Sequence, residues 1–237
     1  MKKIKILGIV SIVTIILILV VSVILAVTGI FGGENQKEGS SGIMISEAKT
    51  EAFEWQTSET EGDIIATLKT DSGDIVIKLA DSAAAEKFIE LSDSGAFKDI
   101  KFTVAAEDMF LQTENCGEGF SFEKNGFAPI NNAVGFVIED GKAYPSLVII
   151  TAKELSKTSS LFLSEKGADK EKTRLYKDFG GVPEYEEKLL VFGMVISGTE
   201  TIKVIFEGEN SGYTGGYSLL EPVKINELKI SFSEKIN

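Results

Sequence analysis

Histidine is absent from all 237 residues, and the chain has one cysteine, Cys116, and one arginine, Arg174. Without histidine no Ser-His-Asp or Cys-His triad can form, and the usual catalytic zinc sites lose their favoured ligand. A single cysteine allows neither an intrachain disulfide nor a CxxC redox pair. No base is present to activate Cys116, which reads as a small core residue rather than a nucleophile. No cofactor and no metal are expected. Acidic residues number 36 against 24 basic ones, a formal net charge of −12. A surface of that sign repels phosphate backbones, so a nucleic-acid partner is excluded, and it disfavours adhesion to anionic lipid.

The chain opens with a basic tail, residues 1–5, containing Lys2, Lys3 and Lys5. Residues 6–31 follow without a charge. As a helix rising about 1.5 Å per residue, this run is long enough to cross a hydrocarbon core of about 30 Å. It exceeds the apolar region of a cleavable signal, about 7–15 residues, and has no clean small-x-small cleavage site. We read it as an N-terminal transmembrane helix and uncleaved signal anchor. The lysines then stay in the cytoplasm and the rest of the chain lies on the extracytoplasmic side of the cell membrane. Residues 32–62 are polar and glycine-containing, the composition of a flexible stalk. Phe53 and Trp55 sit inside it, with docking on the domain and docking on the bilayer both open.

Residues 63–232 form one domain of ordinary size, followed by a short tail at 233–237. Short β-rich runs at 64–70 and 75–79 flank Asp71-Ser72-Gly73-Asp74, a hairpin turn signal. Further runs fall at 101–105, 110–112, 134–138, 147–151, 190–196 and 223–232. Ser82 can cap a helix that Gly95 stops, and 199–206 suits a second short helix. Many short strands with two brief helices point to a mainly β, antiparallel barrel. A charged insertion at about 153–183, which contains Arg174, reads as a solvated loop.

Several motifs occur in the order found in one known family. The stretch Lys101 to Gln112 resembles the active-site strands of the cyclophilins, peptidyl-prolyl cis-trans isomerases whose segment reads roughly x-Phe-His-Arg-Val-x-x-x-Phe-x-x-Gln. Thr70 to Leu79 is similar to the family's opening hairpin. Phe88-Ile89-Glu90-Leu91 with Ser94-Gly95-Ala96-Phe97 resembles its first helix and the turn after it. Ser146 to Thr151 resembles Ser-Gln-Phe-Phe-Ile-Thr, Val191 to Gly198 resembles Val-Phe-Gly-x-Val-x-x-Gly, and Glu221 to Ile225 resembles the terminal x-Pro-Val-x-Ile. The resemblance covers nearly the whole domain and implies a closed, antiparallel, eight-stranded cyclophilin-like barrel with two short helices.

The same resemblance implies a substrate-binding set of Phe102, Met109, Phe110, Gln112, Leu147, Ile149, Tyr185 and Leu189. Gln112 is the retained glutamine, and Met109 and Ile149 stand at pocket phenylalanines. Leu147 stands at a second glutamine, Leu189 at a histidine, Tyr185 at a leucine and Glu184 at a tryptophan. Val104 occupies the arginine position and Thr103 that of the neighbouring histidine, so no catalytic residue is certain. Met109, Phe110, Ile149 and Leu189 read equally as pocket or as barrel core, and Arg174 is a candidate to return the guanidinium from the insertion. The implied function is a membrane-anchored, extracytoplasmic prolyl isomerase with weakened catalysis, acting on proline-containing exported polypeptides. The alternative is a non-catalytic module that binds proline-containing segments or a membrane partner.

Overall fold

The computed structural model describes residues 52–58, 64–208 and 217–232. The expected transmembrane run at 6–31, most of the stalk and the tail lie outside the described residues, among which no helix is long and apolar enough to cross a membrane. Eight strands close a barrel: β1 (Ile64–Thr70), β2 (Gly73–Leu79), β3 (Lys101–Ala106), β4 (Phe110–Thr113), β5 (Ala133–Glu139), β6 (Lys142–Ile150), β7 (Leu189–Ser197) and β8 (Ser218–Phe232). Their order around the barrel is β1-β2-β7-β5-β6-β4-β3-β8, and every pairing is antiparallel. Closure leaves no unpaired edge along which chains could aggregate.

Period-two alternation fills the interior. Ala66 and Leu68 of β1, and Ile75, Ile77 and Leu79 of β2, meet Phe136 and Phe192 in one buried cluster. Helix α1 (Ala83–Asp93), capped by the Ser82 side chain accepting from Ala85 N–H, packs Phe88 against Phe192 at 4.7 Å between ring centres. β7 is buried on both faces, which is why it reads as an unbroken apolar run: Leu190 and Phe192 enter the interior, while Val191 and Met194 join a second cluster outside the sheet. Two glycines of its motif have steric causes. A Cβ at Gly193 would stand 2.7 Å from the Ile77 side chain, and Gly198, at φ 95°, sits hard against Asp74 O.

Two departures from the sequence reading bear on the site. The expected helices are present as α1 and the helix Thr199–Glu207, but the insertion is not a loop. It holds α2 (Lys157–Glu165) and α3 (Lys170–Phe179), followed by a 3-10 turn, Pro183–Tyr185. Ser156 and Asp169 cap these helices by accepting from the N–H groups of Ser159 and Lys172, and Leu163 and Tyr176 face inward while Leu161 and Phe179 stay exposed. The charged exterior hid that inner stripe.

The second departure is at 52–58, the described part of the expected stalk. Residues 52–57 are helical and pack on the barrel. Gln56 makes a two-way contact with Ala128, donating to its carbonyl and accepting from its N–H, each at 2.8 Å. Trp55 meets Phe127 at 5.4 Å and Phe53 meets Phe179 at 5.9 Å, so both aromatics dock on the domain. Beneath them Lys78, 1% exposed, donates to Trp55 O, Ser58 O and the Ser58 hydroxyl at 2.8–3.1 Å. Burial holds its pKa below the usual lysine value, and the carbonyls ending a short helix, with the Trp55 ring 4.8 Å away, serve as its counter-charge.

Candidate functional site

β3, β4 and β6 lie side by side, and their register sets what each face presents. Val104 is the Cα partner of Gln112, and Gln112 is the partner of Val148. The next row runs Ala106, Phe110, Ile150. Residues directly opposite in antiparallel pairs share a face, so Val104, Gln112 and Val148 stand abreast, with Phe110 and Ile150 beside them. A bulge makes this possible: pairing passes from Phe102–Thr113 to Val104–Gln112, leaving Thr103 extra. Phe102 and Ala105 then both point inward while Val104 points out.

The eight residues expected to bind substrate therefore separate. Met109, Phe110, Tyr185 and Leu189 gather in the outer cluster together with Val104, and Gln112 shares the face of Phe110. Phe102, Leu147 and Ile149 do not reach it. All three are fully buried in the barrel interior, and Val148 and Ile150 hold the outward positions of β6. A motif read one residue out of step moves every side chain to the other face. The pairing of β6 with both neighbours sets this: Gln112 of β4 faces Val148, and Val134 of β5 faces Ile149.

Three supports fix the face. Gln112 Nε2 donates to the Ser146 hydroxyl at 3.1 Å, which donates to Thr113 O at 2.7 Å. The side chain of Leu189 covers Gly135, where a Cβ would come within 2.8 Å of it. Tyr185 packs its ring 5.2 Å from that of Phe110, and burial, then the neighbouring Glu184 charge, raise its phenol pKa. Val148, Ile150, Phe110 and Leu189 are closely covered, which leaves the half-buried Val104, Met109, Gln112 and Tyr185 as the accessible side chains of the face.

The insertion buttresses this wall, which the sequence reading missed. Ser159 of α2 donates to Glu184 at 3.0 Å, and the buried Tyr176 of α3 donates to Glu186 at 2.9 Å. Capping residues Ser156 and Asp169 were the legible signal of helices there; their docking was not. Arg174 does not bring a guanidinium to the face: it is 82% exposed and pairs with Asp178 one turn along α3. Cys116 donates to Pro145 O, and burial pushes its thiol up to about 11, which makes it a poor nucleophile. Among the described residues no group of three His, Cys, Asp or Glu could hold a metal ion.

The face thus has an apolar floor, one amide and no cation at Val104. It can bind an extended segment through shape and a hydrogen bond, but it holds no acid-base pair for bond cleavage. Residues 65–230 match the family profile described as cyclophilin type peptidyl-prolyl cis-trans isomerase/CLD. Among solved structures the chain is similar to a cyclophilin type peptidyl-prolyl cis-trans isomerase of Cryptosporidium parvum, at 14% identity and a TM-score of 0.53, covering 72% of this chain and 98% of that one. A second structure of that protein, obtained in the presence of the dipeptide Ala-Pro, gives 14% identity and a TM-score of 0.52 over 71% and 99%. No curated protein matches.

Proposed function

The chain belongs to the cyclophilin-type peptidyl-prolyl cis-trans isomerase family, and on that footing we propose that its barrel binds proline-containing segments and isomerises them slowly. The observation that carries this reading is the row Val104, Gln112, Val148 beside Phe110: an amide next to an apolar face, with an aliphatic side chain where the resemblance puts an arginine. Rotation about a prolyl bond starts from the amide barrier of about 18–20 kcal/mol, which reflects conjugation of nitrogen with carbonyl. Binding the twisted state more tightly than the planar one lowers it. Met109 and Tyr185, backed by the buried Phe110, supply apolar contact for the ring, and the Gln112 carbonyl oxygen can accept a peptide N–H. A donor aimed at the imide nitrogen would weaken conjugation; Val104 supplies none. Losing one such transition-state contact commonly sacrifices about 10²–10³ in rate.

The uncharged run at 6–31 behind a lysine-rich start supports membrane anchoring with the barrel outside, so its clients are exported polypeptides. Val104 also favours a second reading, a module that binds such segments without turning them.

A prolyl-isomerisation assay on the full-length chain and on Val104→Arg separates the two. Slow turnover in the parent, raised at least tenfold in the variant, is the expected result. A silent parent with an active variant selects the binding module. Silence in both, with no peptide affinity in either, sinks the proposal.

A further inference from the structure

The loop from Pro183 to Leu189 carries four charged side chains, and three find partners away from it. Glu184 accepts from Ser159 and Glu186 from Tyr176, while Lys172 pairs with Glu186 and Lys124 with Glu187. Tyr176 is fully buried and Ser159 is buried, so the first two acids are turned into the insertion. Lys188 is the fourth. Among the described residues it pairs with no acid, and its ammonium lies 5.5 Å from the centre of the Tyr185 ring. The same ring packs on Phe110 and forms one wall of the face. The turn leading into Met109 carries the exposed Glu107 and Asp108.

We propose that Lys188 is a specificity-determining residue, selecting proline-containing segments that carry a carboxylate close to the proline. This rests on the prolyl-segment reading above and deepens it. An ammonium held over an aromatic face is positioned without being neutralised, and its hydrogens stay available to a ligand. A ligand carboxylate gains a charge-assisted hydrogen bond there. A ligand lysine finds Glu186 and Glu187 of this loop already paired with Lys172 and Lys124, and Glu184 turned toward Ser159. The acidity of the whole chain opposes an acidic ligand at long range, so the selection is local and depends on contact.

Calorimetric titration of the full-length chain with blocked five-residue peptides centred on proline tests this. Glutamate, glutamine or lysine is placed in turn at each neighbouring position. Glutamate should be favoured over glutamine about two- to fivefold at one position or more, the range of an exposed ion pair. Lys188→Gln should erase that ratio, Lys188→Arg should keep it, and Lys188→Glu should shift preference to the lysine peptides. Equal affinity for glutamate and glutamine peptides, or a ratio that survives Lys188→Gln, overturns the selection and leaves the prolyl reading standing. If no peptide binds, neutral ones included, the prolyl reading falls and the selection with it.

Discussion

Thr151 shows how closely the site and the sheet are joined at the level of single residues. Its N–H donates to Met109 O, which pins the residue just before β4, yet among the described residues its buried hydroxyl has no hydrogen-bond partner. An unmet buried hydroxyl is a standing cost that an apolar group of similar shape removes. Thr151→Val should therefore raise unfolding free energy by about 1 kcal/mol. Denaturant titration would read this as a higher midpoint at unchanged slope; a lower midpoint would mean the hydroxyl is satisfied by water. Val104 is the contrasting case. The motif in the sequence identified its position, but its facing Gln112 across the strand pair depends on the bulge at Thr103, which has no signature in the residue types.

Among the elements, the docked segment 52–58 and the inserted helices were the least legible. Gln56, Lys78 and Trp55 lie far apart in sequence, and only folding makes a buried ammonium the cap of a short helix. Deleting residues 1–58 would remove the acceptors of Lys78 and the cover over Phe127. Such a chain should be less stable than one beginning near residue 46 by about 1–3 kcal/mol, from the lost hydrogen bonds of Lys78 and Gln56 and the apolar surface uncovered beneath Trp55. Lys78→Met should destabilise the longer chain, where it removes those bonds, and change the shorter one little. Thermal melts of the four proteins give the cycle, and equal losses in both backgrounds would show that the cation and the segment are not coupled.

For the molecule as a whole, charge and closure dominate. The chain carries −12, and the ion pairs given by the structure, such as Lys87–Glu90 and Lys203–Glu207, are largely exposed. Exposed pairs contribute little, whereas repulsion among excess acids acts over the whole surface. Raising salt from about 0.02 to about 0.5 M shortens the screening length from roughly 20 to roughly 4 Å and should raise the melting temperature. A fall would show that local pairs outweigh the general repulsion. The amino-acid sequence alone determined the strand runs, the capped first helix, the absence of triad chemistry and the family, because periodicity, capping and motif order are properties of neighbours along the chain. Tertiary structure alone decided that Val148 and Ile150, not Leu147 and Ile149, share the face of Gln112, and that Arg174 stays in solvent while Lys188 lies against Tyr185. Those outcomes hang on strand register and on contacts between distant segments, and a shift of one residue across a strand pair leaves composition and local pattern unchanged while it reverses which side chains a ligand can touch.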